Sequence, residues 1–225
     1  MKLVVVKIYT FCALILNVVF RKFVSRNSCF WNVKINGRGK VRFTNAYLHK
    51  TRFNLSGPNH SISVEGGIYD SVINVYGENN TLIFSENTNV HNATIILRGN
   101  NLLFYIGEKS AIGGGRFVIM GQSNQIEIGS NCMLADQLEV WSTDSHPIYD
   151  VEMNMINPSA PVVIQNNVWI GSRTTVLKGV TVGEGAIIGM NSVVTRDVPK
   201  QCVCVGNPAK VIRSGVTWKR EYINM

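Results

Sequence analysis

Six apolar residues recur at intervals of six near the C-terminal end: Ile164, Ile170, Val176, Val182, Ile188 and Val194. The fifth position of each unit keeps the same phase, with Val168, Thr174, Val180, Ala186, Ser192 and Val198. Gly171, Gly183 and Gly189 fill the second position of three units. Neither an α-helix nor an ordinary strand has a period of six. A coil of three short flat faces has it: one residue per face points inward, and glycine permits bends near the corners. The same interval recurs upstream in Ile106, Ile112 and Val118, and again in Ile128, Leu134 and Val140.

A slower repeat lies further towards the N-terminus. Gly57, Gly77, Gly99 and Gly121 open short Asn-containing stretches at separations of 20, 22 and 22 residues. Apolar runs such as Thr81–Phe84 and Leu102–Tyr105 follow them. This spacing predicts one solenoid turn per repeat, with wider corners at which Asn and Gly tolerate positive φ. Such coils stack along one axis, so both ends need caps. Val and Ile suit the narrow interior. None of the clock positions is charged, as expected where an unpaired inward charge would cost roughly several kcal/mol.

The 225 residues fit one all-β solenoid with terminal attachments. The expected divisions are an apolar helix or cap over 1–30, irregular coils over 31–125, hexapeptide coils over 126–205 and a C-terminal extension over 206–225. Five cysteines, Cys12, Cys29, Cys132, Cys202 and Cys204, have no metal-ligand spacing and no disulfide pattern, which suggests a reducing cytoplasm. The net charge of +8 gathers mainly near the two ends, and no nucleic-acid motif accompanies it, so no nucleic-acid partner is expected. Leu3 to Phe20 is almost wholly apolar and would span about 27 Å as a helix. It fits a capping helix, an interfacial membrane helix assisted by Arg21, Lys22 and Arg26, or a span. The interfacial reading would give peripheral contact at the inner face of the membrane through the N-terminus.

Between Val140 and Ile164 the clock breaks. Residues 141–161 read as a loop thrown out from a rigid prism, and loops on rigid scaffolds carry much of protein chemistry. This loop holds His146, with Asp144 and Asp150 on either side. A carboxylate that fixes one imidazole nitrogen as a donor leaves the other free to accept a proton. Spacing alone leaves general base and backbone-capping roles equally open.

Ile128-Gly-Ser-Asn131, Ser145-His-Pro147, Asn167-Val-Trp-Ile-Gly-Ser172, Gly179-Val-Thr-Val-Gly183, Ile188-Gly-Met-Asn-Ser192, Val194-Thr-Arg-Asp197 and Gly206-Asn-Pro-Ala-Lys-Val-Ile-Arg213 together resemble the hexapeptide-repeat acyltransferases. These are left-handed parallel β-helices that include galactoside, maltose and xenobiotic acetyltransferases. The Asp144-Ser-His146 context, Ile156-Asn-Pro158 and Val216-Thr-Trp-Lys-Arg220 look most like the branch that modifies surface polysaccharides. The hand comes from this resemblance; the usual crossover rule favours the other one.

The resemblance implies acetyl-CoA as co-substrate, a sugar or oligosaccharide hydroxyl as acceptor, no metal, and a homotrimer with active sites between prisms. His146 matches the general base, with Asp144 the first choice to orient it and Asp150 the second. Ser172 matches a position whose backbone N–H faces the thioester carbonyl. Trp169 matches a residue bordering the acceptor and thioester. Met190, Thr195, Arg196, Lys210 and Arg213 match positions lining the CoA groove, where the cations would meet its phosphates. The acceptor-contacting Asn of galactoside-type enzymes would fall near Gly115 or Arg116, so acceptor recognition differs here. The alternatives are transfer to the amine of an amino sugar, a non-catalytic scaffold, and a carbonic anhydrase. The last needs three zinc-binding histidines, whereas His49, His60 and His91 lack paired spacing.

Overall fold

A computed structural model of the protein describes residues 22–24 and 28–223. The chain winds into three-sided coils. Three sheets of eight, ten and eight strands run along the molecule and form its faces. The faces are numbered here in the order the chain meets them: the first opens at Lys22–Val24, the second at Cys29–Trp31 and the third at Lys34–Asn36. Strands from successive coils pair in parallel, so the architecture is a parallel β-solenoid of about eight turns. No helix occurs among the described residues.

The apolar segment Leu3 to Phe20, expected as a capping or membrane helix, lies outside the described residues. Within segment 1–30, Lys22–Val24 and the start of Cys29–Trp31 are already strands paired to the next coil. The solenoid therefore begins before residue 31.

Ile164 pairs with Val182 18 residues later, three times the six-residue unit. All six clock residues from Ile164 to Val194 are at most 1% exposed. Upstream, Ile62, Leu82, Phe104 and Ile126 pair in turn at separations of 20, 22 and 22 residues. The added residues lengthen the perimeter, and larger side chains fill the wider interior. Phe43, Phe53, Phe84, Phe104 and Phe117 are fully buried there. The Phe104 ring meets Phe84 and Phe117 at centroid distances of 5.5 and 5.8 Å. Val and Ile thus account for the narrow coils, as the sequence predicts, while aromatic rings fill the wider ones.

The slow glycine repeat is a stacked corner between the third and first faces. A Cβ on Gly77 (φ +102°) would lie 2.0 Å from the Gly99 carbonyl oxygen, and one on Gly99 (φ +139°) 1.9 Å from that of Gly121. Beside this column, buried asparagines bond neighbouring coils. Asn80 Nδ2 donates to the carbonyls of Tyr76 (3.0 Å) and Gly99 (2.9 Å), and its Oδ1 accepts from the Leu102 N–H at 2.9 Å. Asn124 Nδ2 donates to the carbonyls of Met120 (2.9 Å) and Ser142 (3.0 Å). Each bond satisfies a backbone group that would otherwise be stranded at a corner.

At the C-terminal end Lys210–Ser214 folds back antiparallel on Cys202–Val205 and extends the second face. The tail then crosses the corner between the first and second faces. Trp218 Nε1 donates to the Asn167 carbonyl at 2.6 Å, and the Arg220 guanidinium donates to the carbonyls of Lys109 (2.9 Å) and Cys132 (3.0 Å). Cys132, Cys202 and Cys204 are buried free thiols. Burial, then the neighbouring Cys202, pushes the Cys204 thiol up to about 11, a value that suits packing rather than reactivity.

Candidate active site

The coil carrying the loop has 36 residues from Ile128 to its partner Ile164, twice the later coil length. The excess leaves after the third-face strand Leu138–Trp141 and returns at the first-face strand Val162–Ile164. Its neck is tied on both sides. Ser142 is held by Asn124, the Ala160 N–H donates to the Ser142 carbonyl at 3.1 Å, and Ser159 Oγ bonds Thr143 Oγ1 at 3.1 Å. The outer part is a small hairpin, with Tyr149 bridged antiparallel to Met155.

His146 stands on this loop and is exposed. Its segment is fixed through Asn157. Asn157 Nδ2 donates to Asp144 Oδ2 (2.9 Å) and to the His146 carbonyl (3.0 Å), while its Oδ1 accepts from the Ile148 N–H. Lys178 Nζ reaches up from the next coil to Asp144 Oδ2 (2.6 Å) and to the Asn157 carbonyl (2.9 Å). The Lys178 hydrogen bond is the main reason that the Asp144 carboxyl lies below the usual carboxylate range.

The two carboxylates flanking His146 therefore have distinct neighbours. Asp144 bonds Lys178 and Asn157, and its carbonyl accepts the His146 N–H at 2.8 Å. Asp150 Oδ1 accepts the N–H groups of Glu152 and Asn154, both at 2.9 Å, and so shapes the hairpin turn. These bonds, led by the Asn154 N–H, hold the Asp150 carboxyl below its ordinary range. Among the described residues no hydrogen bond joins either carboxylate to the His146 ring. Lys178 and Asn157 were not singled out from the sequence, because their role depends on the loop returning over the following coil.

Ser172 lies at another corner, between the second and third faces. Its carbonyl accepts the Asn191 N–H at 3.0 Å, and the N–H of the adjacent Arg173 donates to the Asp136 carbonyl one coil earlier. A hydrogen bond from Ser172 is the largest cause of the lowered Asp136 pKa. The Ser172 N–H has no acceptor among the described residues. Met190 stacks directly on this corner: its backbone N would lie 2.6 Å from a Cβ on Gly171. Trp169, Ile187, Val203 and Arg213 form one register line on the second face, with Lys210 opposite Val205 nearby. The Trp169 ring is tilted against Trp218, with centroids 5.9 Å apart.

Thr195 and Arg196 are exposed at the third–first corner, one coil below Leu177 and Lys178. The residues singled out from the sequence thus fall into two groups. Trp169, Ser172, Met190, Lys210 and Arg213 lie on the second face or its far corner. Asp144, His146, Thr195 and Arg196 lie at the opposite edge of the third face. That face is about five residues wide, roughly 16 Å, so one protomer does not bring the two groups together.

Between them stands a cluster the sequence did not reveal. Arg116 donates through Nε and a terminal nitrogen to Glu139, the shortest contact being 2.8 Å, and its guanidinium lies 5.2 Å from the Trp141 ring centroid. Trp141 Nε1 donates to Glu139 at 2.6 Å. Burial raises the Glu139 pKa, but the bonds from Arg116 and Trp141 outweigh it and leave the carboxyl below its usual range. Arg116 and Glu139 border a cleft of about 680 Å³ lined also by Gly113, Gly114, Gly115 and Asp136. Among the described residues no cluster of three metal-ligating side chains occurs.

Stacked six-residue rungs interrupted by one long loop are the architecture of a hexapeptide-repeat transferase. The bacterial transferase hexapeptide family (six repeats) matches residues 161–196. By these repeats and by 30% identity to a solved acetyltransferase, the chain belongs to the hexapeptide-repeat acetyltransferases. The solved structure of the polysialic acid-specific acetyltransferase NeuO is 30% identical, with a TM-score of 0.64, and the match covers 77% of this chain and 89% of that one. The solved polysialic acid O-acetyltransferase OatWY is 28% identical, with a TM-score of 0.77, covering 90% of this chain and 92% of that one. Polysialic acid O-acetyltransferase from Escherichia coli O1:K1 / APEC is 32% identical over 136 residues, 60% of this chain and 43% of the relative. The chain spans about half the length of the curated relatives it matches.

Proposed function

We propose that the protein transfers an acetyl group from acetyl-CoA to a hydroxyl of a sugar or surface polysaccharide, at sites shared between copies in a homotrimer. The observation that carries this reading is the pairing of a tethered His146 loop on one prism edge with an unpaired Ser172 N–H on the other. A neighbouring prism that sets its second–third corner beside this loop completes the site, and repeating that contact closes a ring. The exposed hairpin residues Ile148, Tyr149, Val151, Met153, Met155 and Ile156 give the loop an apolar surface suited to such contact.

In this arrangement the His146 imidazole takes the proton of the acceptor hydroxyl, and the hydroxyl oxygen attacks the thioester carbonyl. The Ser172 N–H bonds the oxyanion that develops, an effect typically worth about 10²–10³ in rate. The carbon–sulfur bond then breaks, and the CoA thiolate takes the proton back from the imidazolium. Asp144 acts here as a positioning residue, holding the His146 segment through Asn157 and Lys178. Trp169 and Met190 wall the thioester, while Thr195, Arg196, Lys210 and Arg213 attend the CoA arm and phosphates, the cations pairing with the phosphates. The acceptor lies towards the cleft beside Arg116 and Glu139. The free thiols of Cys29, Cys132, Cys202 and Cys204 support a cytoplasmic location. The apolar N-terminal segment supports contact with the inner face of the membrane.

The test is thiol release from acetyl-CoA with a panel of sugars and oligosaccharides. His146→Ala is expected to lower kcat by about 10²–10⁴-fold with an unchanged thermal midpoint. Co-assembly of His146→Ala with Trp169→Ala chains is expected to restore part of the activity, because some sites then combine two intact halves. Equal release by native and His146→Ala protein would refute the base assignment, and no recovery on mixing would refute the shared site.

A further inference from the structure

Trp31, His49, Tyr69 and His91 stand in register on four successive coils of the second face, and the reaction uses none of them. The Tyr69 and His91 rings stack 4.6 Å apart and 13° from parallel. The Tyr69 ring lies over Gly67, where a Cβ would meet its hydroxyl oxygen at 2.7 Å, and the column carries a phenol hydroxyl and imidazole nitrogens. His49 Nδ1 lies 3.6 Å from Asp70. Trp31 is the first ring of the column among the described residues and is 59% exposed.

Beyond His91 the column continues as Gly113, Ala135 and Gly171, the residues after the paired Ile112, Leu134 and Ile170. Gly171 adjoins Ser172. From Trp31 to Gly171 is six coil spacings, roughly 29 Å at the usual distance between strands. The glycine-lined cleft occupies the stretch between His91 and Ser172. In the line of the column this upper half carries only Gly113, Ala135 and Gly171, with Arg116, Asp136 and Glu139 at its border, whereas the lower half bears donors and acceptors.

Across the same corner, Lys34 and Arg52 are in register at the start of the third face. Neither forms an ion pair among the described residues. Between residues 28 and 64 the chain has six cations and no Asp or Glu; of these, Lys40 and Arg42 lie on the first face and Lys50 pairs with Asp70 at 3.9 Å. Lys34 and Arg52, without ion pairs beside a column of hydrogen-bonding groups, match a ligand that carries both hydroxyls and negative charge.

We propose that this edge is a binding track for an extended, carboxylate-bearing polysaccharide, held at the Trp31–His91 column and led over the small residues to the Ser172 corner. The proposal rests on the acceptor reading above and assigns the N-terminal coils a role in gripping distant parts of the chain being modified.

Binding of labelled short and long polysialic acid fragments, and of uncharged dextran of matched length, is measured with the full chain in low and high salt. The long fragment is expected to bind more tightly than the short one, and salt is expected to narrow the difference. Lys34→Gln with Arg52→Gln is expected to weaken long-fragment binding roughly five-fold, with small exposed contributions from each cation. Lys34→Arg with Arg52→Lys is expected to keep it. Thiol release with the short fragment should be unchanged in both. Equal binding of dextran, or long-fragment affinity indifferent to the Gln pair, would overturn the track. Loss of thiol release in the native protein with length-dependent binding intact would overturn the catalytic reading alone.

Discussion

Asn157→Ala isolates the lock on the loop that carries the proposed base. The Asn157 side chain makes three hydrogen bonds, to Asp144, to the His146 carbonyl and from the Ile148 N–H. Net contributions of about 0.5–1.5 kcal/mol each apply to such bonds, and exposure places these at the lower end. Their joint loss amounts to about 2 kcal/mol of loop ordering. If the imidazole is productive only in the ordered state, kcat falls roughly 30-fold. The prism interior does not touch this side chain, so the thermal midpoint should move little, and KM for acetyl-CoA should hold. Lys178 still pairs with Asp144 in the variant. Because the Asp144 pKa is lowered in the fold, that pairing is complete above the ordinary carboxylate range and is lost only as pH falls through the lowered value. Activity lost with the tether should therefore not return at any pH between neutrality and mild acid. Steady-state kinetics with a saturating acceptor, paired with thermal unfolding, decides the matter. An unchanged kcat, or a fall in kcat matched by a large drop in midpoint, would refute the tether.

Gly77→Ala is expected to destabilise the protein by more than about 1–3 kcal/mol, since it combines a positive φ with a Cβ driven into the Gly99 carbonyl. Chemical denaturation measures it, and Gly215→Ala, which meets nothing within 4 Å, provides the comparison for the φ effect alone. Trp218→Ala removes the ring against Trp169, a contact of about 0.5–1.5 kcal/mol. It should change the near-ultraviolet dichroism and raise KM for acetyl-CoA several-fold with little loss of kcat, whereas Trp218→Phe should restore most of the binding.

The repeat and the loop were legible because both follow from local rules. A six-residue interval fixes which residues turn inward, and each of Ile164 to Val194 is buried as that interval requires. The interval breaks after Val140, and the chain leaves the prism beyond Trp141 and returns at Val162. The solvent-facing contacts were not legible, because they join residues distant in sequence. Lys178 meets Asp144 across 34 residues, and Arg220 meets Lys109 across 111. The Phe interior followed from coil length, which the glycine spacing carried but which the narrow-coil pattern obscured. The two-edge layout of the site needed the faces to be numbered around the axis, and motif order along the chain does not supply that.

The glycine column at the third–first corner has a consequence for how such a molecule changes its length. Each corner leaves room only for the carbonyl of the following one, so material can be added or removed there only as whole rungs that bring their own glycine. A deletion or duplication upstream of Gly121 would then move the distal tip in fixed increments while the eighteen-residue coils keep their dimensions. The protein is in that sense a graduated ruler, whose reach can be reset without recutting its tool.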